Sequence, residues 1–417
     1  MTWKRLLLAL AVVAIIAAGA VAAFILSKQR AGRDVQGSST EEFVTTAAPK
    51  PKPPPLQGVE WPTYGFAATR DRVSPYRYRP PFRQVWRFPG RSLLEFPPVV
   101  AYGRLFVANN DGTLFAADVR TGKEAWRYDS GRVQAASPAV ALNTVIHTFL
   151  YRRRSNGARD GEVIAFAAGT GKIRWRHKLP APSESSPLVL GKRVYLGDWS
   201  GRVYCFDVRT GVLRWTARTG GPVKGAVSAA GGRLFVGSYD HHVYALSAAT
   251  GAQAWRASVQ ERFGSAGRFY ASPAVAYGRV YIGATDGKVY SYGATTGELR
   301  WSHQTGGYVY ASAAVWRKRV FVGSYDRYFY ALDAATGDVV WRFAAGGRIS
   351  GSATVVSGRV YFSTLEGRTY ALNALTGARV WSYPDGSYTP VIADKHHLYL
   401  VGKASVRAFV NRVPSGR

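Results

Sequence analysis

Five side chains able to hold a ligand recur at one equivalent position of an internal repeat: Glu95, Glu184, Lys224, Tyr270 and Tyr310. Ala135, Ser350 and Ser387 complete that ring. Two carboxylates, an ammonium and two phenols converging on one level form either a site for a small ligand or peptide or the lining of a water-filled channel. A second candidate is the run Arg152-Arg153-Arg154, inside an insertion: a contact for an anionic polymer, phospholipid head group or acidic partner, or a solvated hairpin tip. Catalytic chemistry is not written in the sequence. It carries no nucleophile–His–acid set, no Gly-rich phosphate loop and no paired carboxylates beyond the ring. The seven histidines are scattered; His241-His242 and His396-His397 are adjacent pairs, and along a strand neighbouring side chains point to opposite faces. No metal site is expected from them. The single cysteine, Cys205, excludes an intrachain disulfide and a Cys-based zinc cluster, and reads as a small buried apolar residue.

What must position these residues is a repeat. Trp86, Trp126, Trp175, Trp215, Trp255, Trp301, Trp341 and Trp381 follow one another at spacings of 40, 49, 40, 40, 46, 40 and 40. The last seven each follow, by four residues, a glycine of a Thr-Gly pair or its equivalent: Gly122, Gly171, Gly211, Gly251, Gly297, Gly337 and Gly377. A period near 40 with strand-forming Tyr, Val, Phe and Trp and frequent turn signals predicts four short strands per unit, the content of one propeller blade. Asp-Gly turns such as Asp286-Gly287 supply the positive φ of a tight hairpin. His241 and Arg327 stand where that Gly is expected, so their turns should be strained or of another type.

The ends predict closure. After Trp381 three strands remain, near 389–393, 397–401 and 405–411, whereas Phe82–Phe88 is an outer strand with no blade before it. Joining them completes an eighth blade and removes the open edges. The fold class is therefore all-β: an eight-bladed β-propeller of four-stranded antiparallel blades, closed by an N-terminal strand and preceded by one transmembrane helix. The two long spacings place insertions at 151–161 and 260–267. Both lie on the face that carries the ring, and loop elaboration gathered on one face of a rigid scaffold suits binding.

Ahead of the propeller, Lys4 and Arg5 precede Leu6–Leu26, a run of 21 residues without charge. That is enough to span a bilayer as a helix. The expected organisation is a signal-anchor over 1–26, a Pro-rich flexible tether over 27–57, the propeller over 58–411 and a tail over 412–417. Residues 1–57 hold seven Lys/Arg and three Asp/Glu, so +26 of the +30 falls on the remainder. Such a field attracts polyanions.

The sentence AADVRTGKEAW at 116–126 and ALDAATGDVVW at 331–341, with the opening Trp61-Pro62-Thr63-Tyr64-Gly65, resembles the PQQ-like (quinoprotein-type) β-propeller repeat over residues 61–411. The resemblance implies that all eight tryptophans are structural, docking each outer strand on the next blade. It also implies one of two functions. One branch comprises PQQ- and calcium-dependent dehydrogenases, which commonly carry a vicinal disulfide, long walling insertions and a calcium site. The other comprises non-catalytic scaffolds, such as the propeller lipoprotein of the outer-membrane assembly machinery. The lone cysteine and short insertions favour the second. The expectation is a single-pass membrane protein with its propeller on the extracytoplasmic side, monomeric, acting as a non-catalytic binding scaffold or sensor of the cell envelope. It would have a protein or anionic-polymer partner, no nucleic acid and no cofactor. The alternatives are a binder of cell-wall polyanions, or a small oxidoreductase using PQQ and calcium.

Overall fold

A computed structural model describes residues 3–38, 42–43, 58–153, 159–260, 267–389 and 391–412. A helix, Trp3–Ala31, is followed by short antiparallel strands in eight sheets. Blades 1 to 7 occupy residues 99–129, 139–179, 188–218, 228–258, 274–304, 314–344 and 354–383, each running from inner to outer strand. Blade 8 takes its three inner strands from Val391–Ala393, Leu398–Val401 and Ser405–Asn411, and its outer strand from Phe82–Pro89. Phe82 pairs with Asn411 and Pro89 with Ser405, so the two ends of the propeller close the ring.

The spaced tryptophans and glycines meet between blades. The indole N–H of Trp86 donates to Val119 O at 3.1 Å, that of Trp175 to Val208 O at 2.9 Å and that of Trp301 to Ala334 O at 3.0 Å, each in the following blade. Trp126, Trp255 and Trp341 reach Ala168, Ala294 and Ala374 in the same way. The Trp215 N–H has no acceptor among the described residues; the equivalent Ala248 carbonyl accepts from Tyr195 and Arg193. Trp381 faces blade 8, which has no Thr-Gly turn, and packs edge-on against Phe82 of the closing strand at 5.3 Å. Gly337 shows why the turn needs glycine: its φ is +83°, and a Cβ there would lie 2.8 Å from the Trp301 ring. His241 and Arg327 keep the geometry of the Gly-containing hairpins at φ of +74° and +73°, the strained alternative of the two expected from sequence.

Inner strands would leave their axial N–H groups unpaired. The lead-in after Trp61 covers them. The amides of Val140, Ala229, Val275, Val315 and Val355 donate to the carbonyls of Pro62, Ala68, Thr69, Asp71 and Arg72. This segment closes the axis toward one end and leaves the other end open.

The N-terminal part departs from expectation. The helix does not stop at residue 26 but continues through Ser27-Lys28-Gln29-Arg30 to Ala31. Residues 32–38 and 42–43, expected to belong to a free tether, lie along blade 5. Val35 O accepts from Ser302 N at 3.0 Å, Asp34 pairs with Lys288 at 3.2 Å, Glu42 pairs with Arg300 at 2.7 Å, and Phe43 stacks on Tyr277 at 5.2 Å. Composition marked the stretch as polar; it could not show that blade 5 holds two basic partners for its two carboxylates. The rest of the tether, residues 39–41 and 44–57, lies outside the described residues.

Blade 2 buries an imidazole whose two nitrogens have no hydrogen-bond partner, His147, edge-on to Phe149 at 4.8 Å. Burial pushes its pKa down to about 3 from 6.5. The unfolded chain therefore takes up a proton below pH 6.5 that the native state refuses until about pH 3. Stability is intact above pH 6.5 and is lost as pH falls through that window, by about 2 kcal/mol at pH 5. His147→Leu removes this loss. The gap in unfolding free energy between variant and parent should widen by about 1.4 kcal/mol per pH unit below pH 6.5, measured by urea titrations at pH 7.5, 6 and 5. A gap independent of pH would refute it.

Candidate functional site

The links between blades bring the predicted ring together. Glu95, Glu184, Lys224, Tyr270 and Tyr310 all line one well on the propeller axis, joined by Ser350 and Tyr388. Ala135 and Ser387 are not among its lining residues. The well holds about 540 Å3, counting the space open to solvent. Each inner strand starts at the axis, so the residues just before it point into the opening.

Sequence reasoning missed the well's lower half. Ser186, Ser272, Ser312 and Ser352 form a belt beneath the ring. Ser272 N donates to Ser312 Oγ at 2.9 Å and Ser312 N to Ser352 Oγ at 3.3 Å, passing from blade to blade. Blade 4 has Ala226 at this level, and its amide donates to Ser272 Oγ at 2.8 Å. The signal was in the same repeat alignment, two residues after each ring position. The floor is Tyr64 of the lead-in, whose hydroxyl meets Ser352 Oγ at 2.6 Å. Behind it Arg72 stacks on the Tyr64 ring at 4.1 Å, and Arg70 donates to Val227 O at 2.6 Å and to the Tyr64 carbonyl. Burial opposes ionisation of Tyr64. Arg72, the Ser352 and Ser312 hydroxyls and Arg70 outweigh it and hold the phenol below its usual range. No periodicity marks residues 61–75, because the segment crosses blades instead of repeating with them.

Charge at the mouth is unevenly committed. Lys224 Nζ lies 3.2 Å from Glu184 Oε1, and 4.2 Å and 5.3 Å from the Trp199 and Tyr239 ring centres. Glu95 has no ion-pair partner among the described residues; Asn110 can donate to it at 3.3 Å. Burial and the Glu184 charge push Glu95 up to about 7. Burial, then Glu184 and Glu95, drive the Tyr270 hydroxyl well above the ordinary tyrosine range. Tyr270 and Tyr310 meet edge-on at 5.4 Å, with Tyr325 5.1 Å from Tyr310.

The arginine run is less available than its sequence implies. Arg153 pairs with Asp129 at 3.0 Å and donates to the Asp111 carbonyl. Arg152 is exposed, and Arg154 lies outside the described residues. Cys205 is fully buried in blade 3, and burial pushes its thiol up to about 11.

A closed ring of eight blades, with an axial well on one face and a covered axis on the other, defines a propeller of the PQQ-like class. The family model described as outer membrane protein assembly factor BamB matches residues 82–152, 149–223, 199–314 and 306–406, and the chain belongs to that family. Over 104 residues it is 28% identical to the outer membrane protein assembly factor BamB of Bordetella pertussis, covering 25% of this chain and 26% of that protein. It is also 28% identical over 160 residues to a 1-butanol dehydrogenase (cytochrome c) of Thauera butanivorans, covering 34% of this chain and 23% of the enzyme. The matches thus span about a quarter of each relative. The BamB structure from Moraxella catarrhalis superposes with a TM-score of 0.64 at 19% identity, over 79% of this chain and 99% of that one.

The carboxylates lining the well offer a calcium ion a poor site. They are Glu95 and Glu184, and the Lys224 ammonium sits on Glu184, where a divalent cation would be repelled. Among the described residues no three His, Cys, Asp or Glu side chains cluster closely enough to hold a metal ion.

Proposed function

We propose that this protein is a membrane-anchored, extracytoplasmic binding scaffold of the cell envelope, working without catalysis or cofactor. The observation that carries the reading is the asymmetry of the ring. The lead-in covers the axis toward the face of the Thr-Gly turns, while the well and the flanks of the two insertions, at Arg152 and Arg268, open on the other; residues 154–158 and 261–266 lie outside the described residues. A rigid frame with elaboration on one face is built to dock something there. Membership of a family described by an assembly factor agrees with it. Anchoring is supported by Leu10–Gln29, long and apolar enough to cross a membrane and covered by nothing among the described residues. Since Asp34 is already docked on blade 5, the propeller would sit close to the bilayer, held by that blade.

Photo-crosslinkers placed at Arg152 and Arg268 on the open face, and at Lys192 on the Thr-Gly-turn side, test this in native membranes. The reading expects one discrete protein adduct from the first two positions and none from the third. Equal labelling from both faces overturns it. So does turnover of an alcohol by protein supplied with PQQ and calcium. Capture of cell-wall polymer that is released at moderate salt would replace the protein partner with a polyanion, since surface attraction is screened within about 10 Å at 0.1 M.

A further inference from the structure

We propose that the axial well binds an alkylammonium group, carried by a small free amine or by a lysyl side chain of a partner. The inference goes beyond the scaffold reading and does not depend on it.

The chain is strongly basic, yet the charges lining the well are two carboxylates and one ammonium. Lys224 shows what the site accepts. Its own ammonium is held by a carboxylate at 3.2 Å and by the faces of Trp199 and Tyr239. That combination is the general solution for an organic cation. Glu95 lines the same well without a cation of its own: its charge reaches the Tyr388 hydroxyl and, after that of Glu184, the Tyr270 hydroxyl, and Tyr310 packs edge-on against Tyr270. The arginines nearest the floor do not neutralise it. Arg70 is spent on main-chain carbonyls, Arg72 lies behind the Tyr64 ring, and neither lines the well. The titratable groups around Glu95 are Glu184, Lys224, Tyr270 and Tyr388, with Arg268 and Arg348 over the neighbouring tyrosines Tyr239 and Tyr325. A half-buried carboxylate beside aromatic rings, with no ion-pair partner among the described residues, gains more from an ammonium than from a neutral guest. Tyr64, Ser312 and Ser352 at the floor are bonded to one another and to strand amides, and offer only their spare lone pairs to whatever the ammonium is attached to.

Because burial and Glu184 hold Glu95 near neutrality, the ligand should bind its ionised form. Amines stay protonated throughout that range. Affinity should therefore rise about tenfold between pH 6 and pH 8.

The full chain in detergent is titrated with cadaverine and with N-acetyl-lysine amide, followed by tyrosine fluorescence. 1-Pentanol and N-acetyl-norleucine amide serve as neutral controls. Saturable binding of at least one amine, at least tenfold tighter than its neutral control, is expected. Glu95→Gln should weaken it tenfold or more and abolish the pH dependence, with the unfolding temperature unchanged. Binding by cadaverine alone assigns a free amine, and binding by the lysine amide alone assigns a partner's side chain. If Glu95→Gln lowers the unfolding temperature, Tyr310→Leu provides the second reading, a roughly threefold loss for the amines and none for the controls. No saturation by about 10 mM, equal binding of the neutral analogues, or binding indifferent to both substitutions overturns the proposal.

Discussion

Replacing Arg132 with methionine is expected to destabilise the propeller by about 3–5 kcal/mol, the range for removing one member of a buried ionic network. Arg132 is 1% exposed. Its Nη1 donates to Leu150 O at 3.0 Å and Asp160 O at 3.2 Å, its Nη2 meets Asp160 Oδ2 at 3.0 Å, and its Nε meets Glu162 Oε2 at 3.2 Å. Arg176 holds the other oxygen of Glu162 at 3.0 Å. Methionine fills the space but strands the two carbonyls and leaves Glu162, itself buried, with one partner. Asp160→Asn should cost only about 1 kcal/mol, because Asp160 is a third exposed and water replaces what it loses. The network clamps both ends of the hairpin insertion, so limited proteolysis should cut Arg132→Met between residues 150 and 160 faster than the parent. Urea unfolding that places Arg132→Met within 1 kcal/mol of Asp160→Asn would contradict this account.

Trp301→Ala should cost about as much, 3–5 kcal/mol, as for other buried aromatic truncations. Of the repeated indoles Trp301 is the most deeply buried, at 0% exposure against 9% for Trp86 and 8% for Trp255. Three layers meet on it. Its N–H reaches Ala334 O, its ring covers Gly337 of blade 6, and Gly37 of the N-terminal segment lies against its edge. Trp126→Ala removes a similar ring that is only partly buried and should cost measurably less. Equal losses for the two would mean that the segment on blade 5 adds nothing to the interface.

The blades were legible because their information is local and written many times. Hairpin glycines, alternating strands and one tryptophan per unit fix each blade, and the orphaned Trp86 strand fixes closure. The ring Glu95, Glu184, Lys224, Tyr270 and Tyr310 was legible for the same reason, since equal positions in equal blades converge on one axis. Identity of position did not give identity of state. Lys224 chose Glu184 over Glu95, and Arg153, read as either a solvated hairpin tip or a contact for an anionic partner, is bound to Asp129. Such pairings depend on distances between links that share no register.

What the sequence determined alone is the wedge and its number, because short-range turn chemistry and burial of one indole per interface need only neighbours in the chain. The tertiary structure decided what is not repeated. The lead-in found the unpaired inner edges and became the floor of the well. Residues 32–38 and 42–43 found Lys288, Arg300 and Tyr277 and became part of blade 5. Both are single segments whose partners lie up to hundreds of residues away, and only the closed ring brings those partners within hydrogen-bonding reach.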